Sequence, residues 1–169
     1  MALTYFVTEA YLKQATALTK NIDANEIVPF ITVASDTWMQ SILGSYFYDH
    51  LLLAYNAQTL TADEEILVSK MKPAIAWRAT SDCVVELTYQ IKNKGIQKQS
   101  GDNSESVDLT ETGFVKTHYE NKAEFYESFL VDYLRTNKAK FPEFIDKQNK
   151  TAIIAPQDDN NFNSDILFI

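Results

Sequence analysis

The 169 residues predict a mainly α-helical bundle of about five helices, with a projecting loop or short hairpin and an extended C-terminal arm. Three observations lead there. Glycine and proline are scarce, at four residues each, too few for a sandwich or barrel that needs a turn every ~8–12 residues. Apolar residues recur at helical spacing over most of the chain. The apolar fraction of 46% and charged fraction of 22% are those of a globular domain long enough to close one core without disulfide or metal.

The elements follow in order. Thr8 is placed to cap a short amphipathic stretch carrying Tyr11, Leu12 and Ala15. Asp23 followed by Glu26 has capping-box character, and Ile27, Phe30, Ile31, Ala34, Trp38 and Ile42 then build one apolar face. Pro29 falls near the start of that helix, and Gly44 closes it, because glycine adopts positive φ without steric cost. Ser45 is expected to cap the next helix, whose Phe47, Tyr48, Leu51, Leu52 and Tyr55 face inward. A loop follows at 56–60.

Thr61-Ala62-Asp63-Glu64 is a capping box and the clearest local signal in the chain. The helix it opens carries Ile66, Leu67, Met71, Ile75, Trp77, Val84, Val85 and Leu87 around most of its circumference, which predicts the central, buried helix. Pro73 removes a backbone donor and predicts a kink or restart near Ser69. Between Lys92 and Leu109 the period disappears, and Asn93-Lys94-Gly95 and 100–104 signal turns, so a hairpin or loop should project there. A last long helix carries Phe114, Tyr119, Phe125, Tyr126, Phe129, Leu130, Tyr133 and Leu134 and ends near Arg135. The expected core includes Ile31, Trp38, Leu51, Trp77, Val84, Phe125 and Phe129.

Residues 1–137 therefore read as the helical domain and 138–169 as an extended docking arm. In the arm, Phe141, Phe144, Phe162 and Phe168 have no helical pattern around them and so no local core to enter. Pro156 and the polar stretch 158–161 form a hydrophilic spacer before Ile166, Leu167, Phe168 and Ile169. Such an apolar end exposed on a polar tail marks a docking element.

Composition narrows function. The net charge of −8, with 23 acidic against 15 basic residues, disfavours a phosphate-backbone ligand. Cys83 is the single cysteine, which excludes an intrachain disulfide and a multi-cysteine zinc site. No window approaches ~18 apolar residues, and residues 1–8 lack signal-peptide character, so a protein made in a reducing cytoplasm is expected, with no membrane partner. Catalytic signatures are missing. The residues three before His50 and His118 are Phe47 and Val115, not the glutamates of a helical di-metal motif. Cys83 lies between apolar neighbours as a small buried hydrophobe would, and the isolated glycines build no phosphate loop. No enzyme activity, metal or cofactor is expected. Two clusters read instead as subunit or partner contacts. Lys92, Lys94 and Lys98 make a basic patch on the projecting loop, and Glu120, Glu124 and Glu127 run up one helix face. With Phe162 and Ile166–Ile169 they are the candidate contact residues.

The layout resembles the small helical head–tail connector (adaptor) proteins of tailed bacteriophages. The resemblance rests on Ile31, Ala34, Trp38, Leu43-Gly44, Phe47 and Leu51 at their spacing, on Lys72-Pro73-Ala74-Ile75-Ala76, on Asn93-Lys94-Gly95-Ile96, and on Phe125-Tyr126 with Tyr133-Leu134. It covers roughly residues 1–145, and its motifs concern packing rather than chemistry. It implies a structural virion protein forming a ring of twelve copies between the portal and a tail-side ring or tail proteins, with DNA passing through unread. A competing reading from charge alone is an acidic helical accessory or inhibitor protein that covers a basic surface on another protein.

Overall fold

The computed structural model describes residues 5–92, 95–98 and 109–145. Helix α1 spans Glu9–Ala15, and the Thr8 hydroxyl accepts from the Tyr11 amide at 3.2 Å, as a cap should. Helix α2 spans Ala24–Val33 behind Asp23, whose carboxylate accepts from the Asn25 amide at 2.9 Å. It continues without a break through a widened π-helical stretch, Ala34–Met39, into α3, Gln40–Leu43. Within this stretch the Ser35 hydroxyl donates to the Ile31 carbonyl and Thr37 to Val33, at 2.7 and 2.6 Å. Each hydroxyl bonds back to the carbonyl four residues earlier, a contact that commonly accompanies a locally distorted helix. Asp36, on the same stretch, accepts from Tyr5 at 2.9 Å and Tyr48 at 3.2 Å, tying the N-terminal segment to the next helix.

Gly44 lies at φ 84°, ψ 146°, and helix α4, Ser45–Ala57, starts directly after it. The expected Ser45 cap is therefore replaced: Gly44 is the cap position and Ser45 is already helical. A Cβ on Gly44 would meet nothing within 4 Å, so the requirement for glycine is conformational rather than spatial. Gln58, left-handed at φ 57°, closes α4.

Helix α5 runs over Ala62–Thr88. The capping box holds as expected: the Thr61 amide and hydroxyl both donate to Glu64 Oε2, at 2.7 and 2.8 Å, and the Glu64 amide returns to the Thr61 hydroxyl at 3.3 Å. No restart occurs at Ser69, because α5 is a single helix through Pro73. It is the central helix. Leu67, Met71, Ala74, Ile75, Ala76, Ala79 and Cys83 are each fully buried, and the run of alanines lets neighbouring backbones approach closely.

Strands β1, Tyr89–Lys92, and β2, Gly95–Lys98, form an antiparallel hairpin with Ile91 opposite Ile96 and Tyr89 opposite Lys98. The hairpin follows α5 directly, as the loss of helical period and the Asn93-Lys94-Gly95 turn signal suggest. Helix α6, Leu109–Thr136, then returns antiparallel along α5. Four contacts fix that direction: Ser81 to the Lys116 carbonyl at 3.4 Å, Trp77 against Tyr119 at 5.5 Å, Lys70 over the Tyr133 ring at 4.8 Å, and Lys140 to Asp63 at 2.7 Å. The C-terminal end of α5, where the hairpin emerges, thus faces the N-terminal end of α6.

Two core expectations are corrected. Phe125 and Phe129 are 57% and 59% exposed, while Ile31 and Leu51 are buried and Trp38, Trp77 and Val84 only partly so. Conversely, Phe141 and Phe144 are buried in the body of the bundle, at 2% and 6%. Phe141 packs between Phe47 and Tyr133, with ring centroids 6.0 and 5.9 Å away. The first part of the expected arm, up to residue 145, is therefore core-forming turn structure. Its apolar end, including Phe162 and Ile166–Ile169, lies outside the described residues.

Candidate functional site

Helix α6 carries apolar residues on two opposite sides. At 100° per residue, Thr112, Ala123, Leu130 and Leu134 cluster on one side, and all four are buried against the bundle. Phe114, His118, Phe125 and Phe129 cluster on the opposite side, in a stripe about 22 Å long from the first phenylalanine to the last at 1.5 Å rise per residue. Phe114 is 73% exposed, and the Phe125 and Phe129 rings lie 4.8 Å apart between centroids and are 57% and 59% exposed.

Two clefts flank this stripe. One, of about 390 Å³, is lined by Trp77, His118, Asn121, Lys122, Phe125 and Tyr126. Lys122 lies over the Trp77 ring at 4.1 Å, so its charge is already engaged. The other, of about 260 Å³, is bounded by Glu124, Glu127 and Asp132, with Ser128, Val131 and Arg135 completing it. Burial pushes the Glu127 carboxyl above its usual range, and the like charge of Glu124 adds to this, against a smaller opposing pull from Arg78.

The predicted acidic row divides. Glu124 faces outward, but Glu120 is turned into a network with Arg78 at 3.8 Å and Lys116 at 3.5 Å, and Glu127 is half-buried. Arg78 also pairs with Asp82 at 3.4 Å. At 100° per residue Glu120 and Glu127 lie about 40° and 60° nearer the α5 side of the helix than Glu124, which leaves only Glu124 outward. Of the predicted basic patch, Lys92 and Lys98 sit on the hairpin strands, and Lys94 lies outside the described residues.

The remaining chemical candidates are structural in geometry. His50 Nε2 meets Glu64 Oε1 at 2.9 Å and its Nδ1 stands 3.6 Å from Glu143 Oε2, so the imidazole joins α4, α5 and the C-terminal turns. His118 lies beside Tyr119 on the exposed side of α6. Cys83 is buried, and burial, followed by the nearby carboxylates of Glu26, Asp82 and Glu86, pushes its thiol up to about 12. Among the described residues no three His, Cys, Asp or Glu side chains gather as a metal site, and no helix is long and apolar enough to cross a membrane.

Reasoning from the sequence missed Asp36 as the acceptor joining two tyrosines, and it put Phe125 and Phe129 on the wrong side of α6. The signal for the second was present: Phe114, Phe125 and Phe129 lie roughly half a turn away from Leu130 and Leu134.

A protein family described as a family of unknown function (DUF6712) matches residues 39–153, well over half of the chain, and the chain belongs to that family. The matched stretch holds α3, α4, α5, the hairpin, α6 and the turns that follow. No curated protein and no solved structure matches it.

Proposed function

We propose that this family member is a structural virion protein, a head–tail connector or adaptor that forms an oligomeric ring between portal and tail, and that it is not an enzyme. The observation that carries the reading is the aromatic stripe of α6, which no described residue covers. A monomer that spends three phenylalanines on one outward helix face, on a stiff antiparallel pair some 40 Å long, is built to be covered by another protein. The sequence resemblance to phage connectors gives that coverage a form, copies of the same chain arranged as a ring of twelve, with the portal on one side and tail-side proteins on the other. The net charge of −8 suits a channel wall past which DNA slides without being held. Residence in the virion after synthesis in the host cytoplasm follows from the same role.

Imaging the purified protein, alone and with a portal ring, tests this. Closed rings of about twelve copies, measured as a mass near twelve times 19.3 kDa, are expected. A monomer that stays monomeric with the portal, yet forms a one-to-one complex with a basic protein, would replace this reading by that of an acidic accessory protein.

A further inference from the structure

We propose that, before it joins any ring, the chain pairs with a second copy of itself through the exposed stripe of α6, the two helices antiparallel about a two-fold axis. The pair goes beyond the ring reading, because a two-fold contact closes on itself and must part before either copy takes ring neighbours on that face. The spacing of the stripe carries the argument. Phe114, His118, Phe125 and Phe129 are separated by four, seven and four residues, a pattern that reads the same from either end. Its midpoint falls between Asn121 and Lys122. A two-fold axis there sets Phe114 of one copy level with Phe129 of the other, and His118 level with Phe125, twice over. All four side chains are exposed, and at 100° per residue they lie within about 60° of one another around the helix.

The antiparallel sense is the favourable one. It sets the two helix dipoles head to tail, whereas a parallel pair aligns them and places His118 on His118. The area suffices for a reversible pair. With about 200 Å² to an aromatic side chain, the three phenylalanines, at 73%, 57% and 59% exposure, offer about 380 Å² per copy. His118, Asn121 and their flanks bring the two copies together to on the order of 1,000 Å², the low end for a specific interface. The cleft of about 390 Å³ lies at the midpoint beside Phe125, so the facing side chains meet a depression rather than a flat wall. Charge is compatible with the pair. Lys122, next to the axis, is held over the Trp77 ring of its own α5 at 4.1 Å, so the two lysines need not meet. Glu111 and Asp132 close the two ends of the stripe and face each other at the exposed rim, where Arg135 stands 3.6 Å from Asp132. Apolar burial therefore holds the pair against a rim repulsion that salt screens.

The test uses the full chain without portal. Sedimentation should show a mass of 19.3 kDa passing to twice that value as concentration rises through the micromolar range, and earlier at higher salt. Phe125→Ala should weaken the pair about tenfold or more, with its urea midpoint at monomeric concentration unchanged. Asn121→Cys should form a disulfide with its own counterpart across the axis under mild oxidation, while buried Cys83 stays silent. The sense is read at the ends: a mixture of Glu111→Cys and Asp132→Cys should cross-link through a short bis-maleimide, and neither variant alone. Cross-linking of each variant alone but not between the two shows a parallel pair and overturns the proposal, as does a Phe125→Ala chain that pairs normally. Rings that assemble on the portal from a chain with no two-copy species would overturn the pair and leave the ring reading standing. Pairs that behave as expected, in a chain that forms no ring with or without portal, would support the pair and remove the ring reading.

Discussion

Truncating Phe141 to Ala removes a ring that is 2% exposed and held between Phe47 and Tyr133. Burial of this kind makes Phe→Ala cost about 3–5 kcal/mol, through lost transfer energy and the cavity left where neighbours cannot collapse. With about 4 kcal/mol lost and a urea slope of about 2 kcal/mol per molar, the midpoint should fall by about 2 M. The same loss should lower the melting temperature by about 8–16 °C for a chain of this size. Phe125→Ala is the matched control. Its ring is 57% exposed, so monomer stability should move by no more than about 0.5 kcal/mol. Both are measured by urea titration followed by far-UV circular dichroism, at a concentration where mass shows monomer, so that assembly adds nothing to the apparent stability. A neutral Phe141→Ala beside a strongly destabilised Phe125→Ala would refute the placement of both rings, and with it the account of α6.

Other substitutions probe single features. Gly44→Ala should cost about 1–3 kcal/mol by urea titration, because φ 84° with ψ 146° strains any side chain although space is open. Thr61→Ala should cost about 0.5–2 kcal/mol through loss of the α5 cap. Burial tends to raise the Glu64 carboxyl, but the Thr61 amide and hydroxyl and His50 outweigh it and leave it below its usual value. Its contribution should therefore be present above the unfolded carboxylate range and lost as pH falls through the lower folded value, an acid loss that Glu64→Gln abolishes. Glu127 has the opposite sign: its raised carboxyl makes stability fall as pH rises through the interval above the usual value, so Glu127→Gln should stabilise at pH 7 and be neutral at pH 3. Cys83 should react with a thiol reagent at pH 8 only as fast as the chain unfolds, read by absorbance with and without urea.

Much of the fold is legible in the sequence because its signals are local. The Thr8, Asp23 and Thr61 caps need only three or four consecutive residues, and each makes its bond in the structure. The hairpin follows from a loss of period beside a turn signal. Less legible are features set by distant partners. Pro73 reads as a break, yet burial on both sides holds α5 together across the missing bond. Phe141 and Phe144 carry no period because they lie in turns, and only the return of the chain past α4 supplies the core that they enter. The π-helical stretch has no sequence signature at all; it becomes intelligible once Asp36 is seen to serve Tyr5 and Tyr48 at once.

The site follows the same division. Helical spacing gives α6 two apolar sides, and each has aromatics: Tyr126 and Tyr133 pack against the core, while Phe114, Phe125 and Phe129 are exposed. What separates them is angle around the axis. The side against α5 holds Thr112, Ala123, Leu130 and Leu134, which fit a close approach to the alanines of α5. Tyr119, Tyr126 and Tyr133 border that seam half-buried, whereas the phenylalanines lie roughly half a turn away. A helix with one apolar stripe needs one partner, and a helix with two needs two. In α6 the first partner is α5, and among the described residues nothing covers the second stripe.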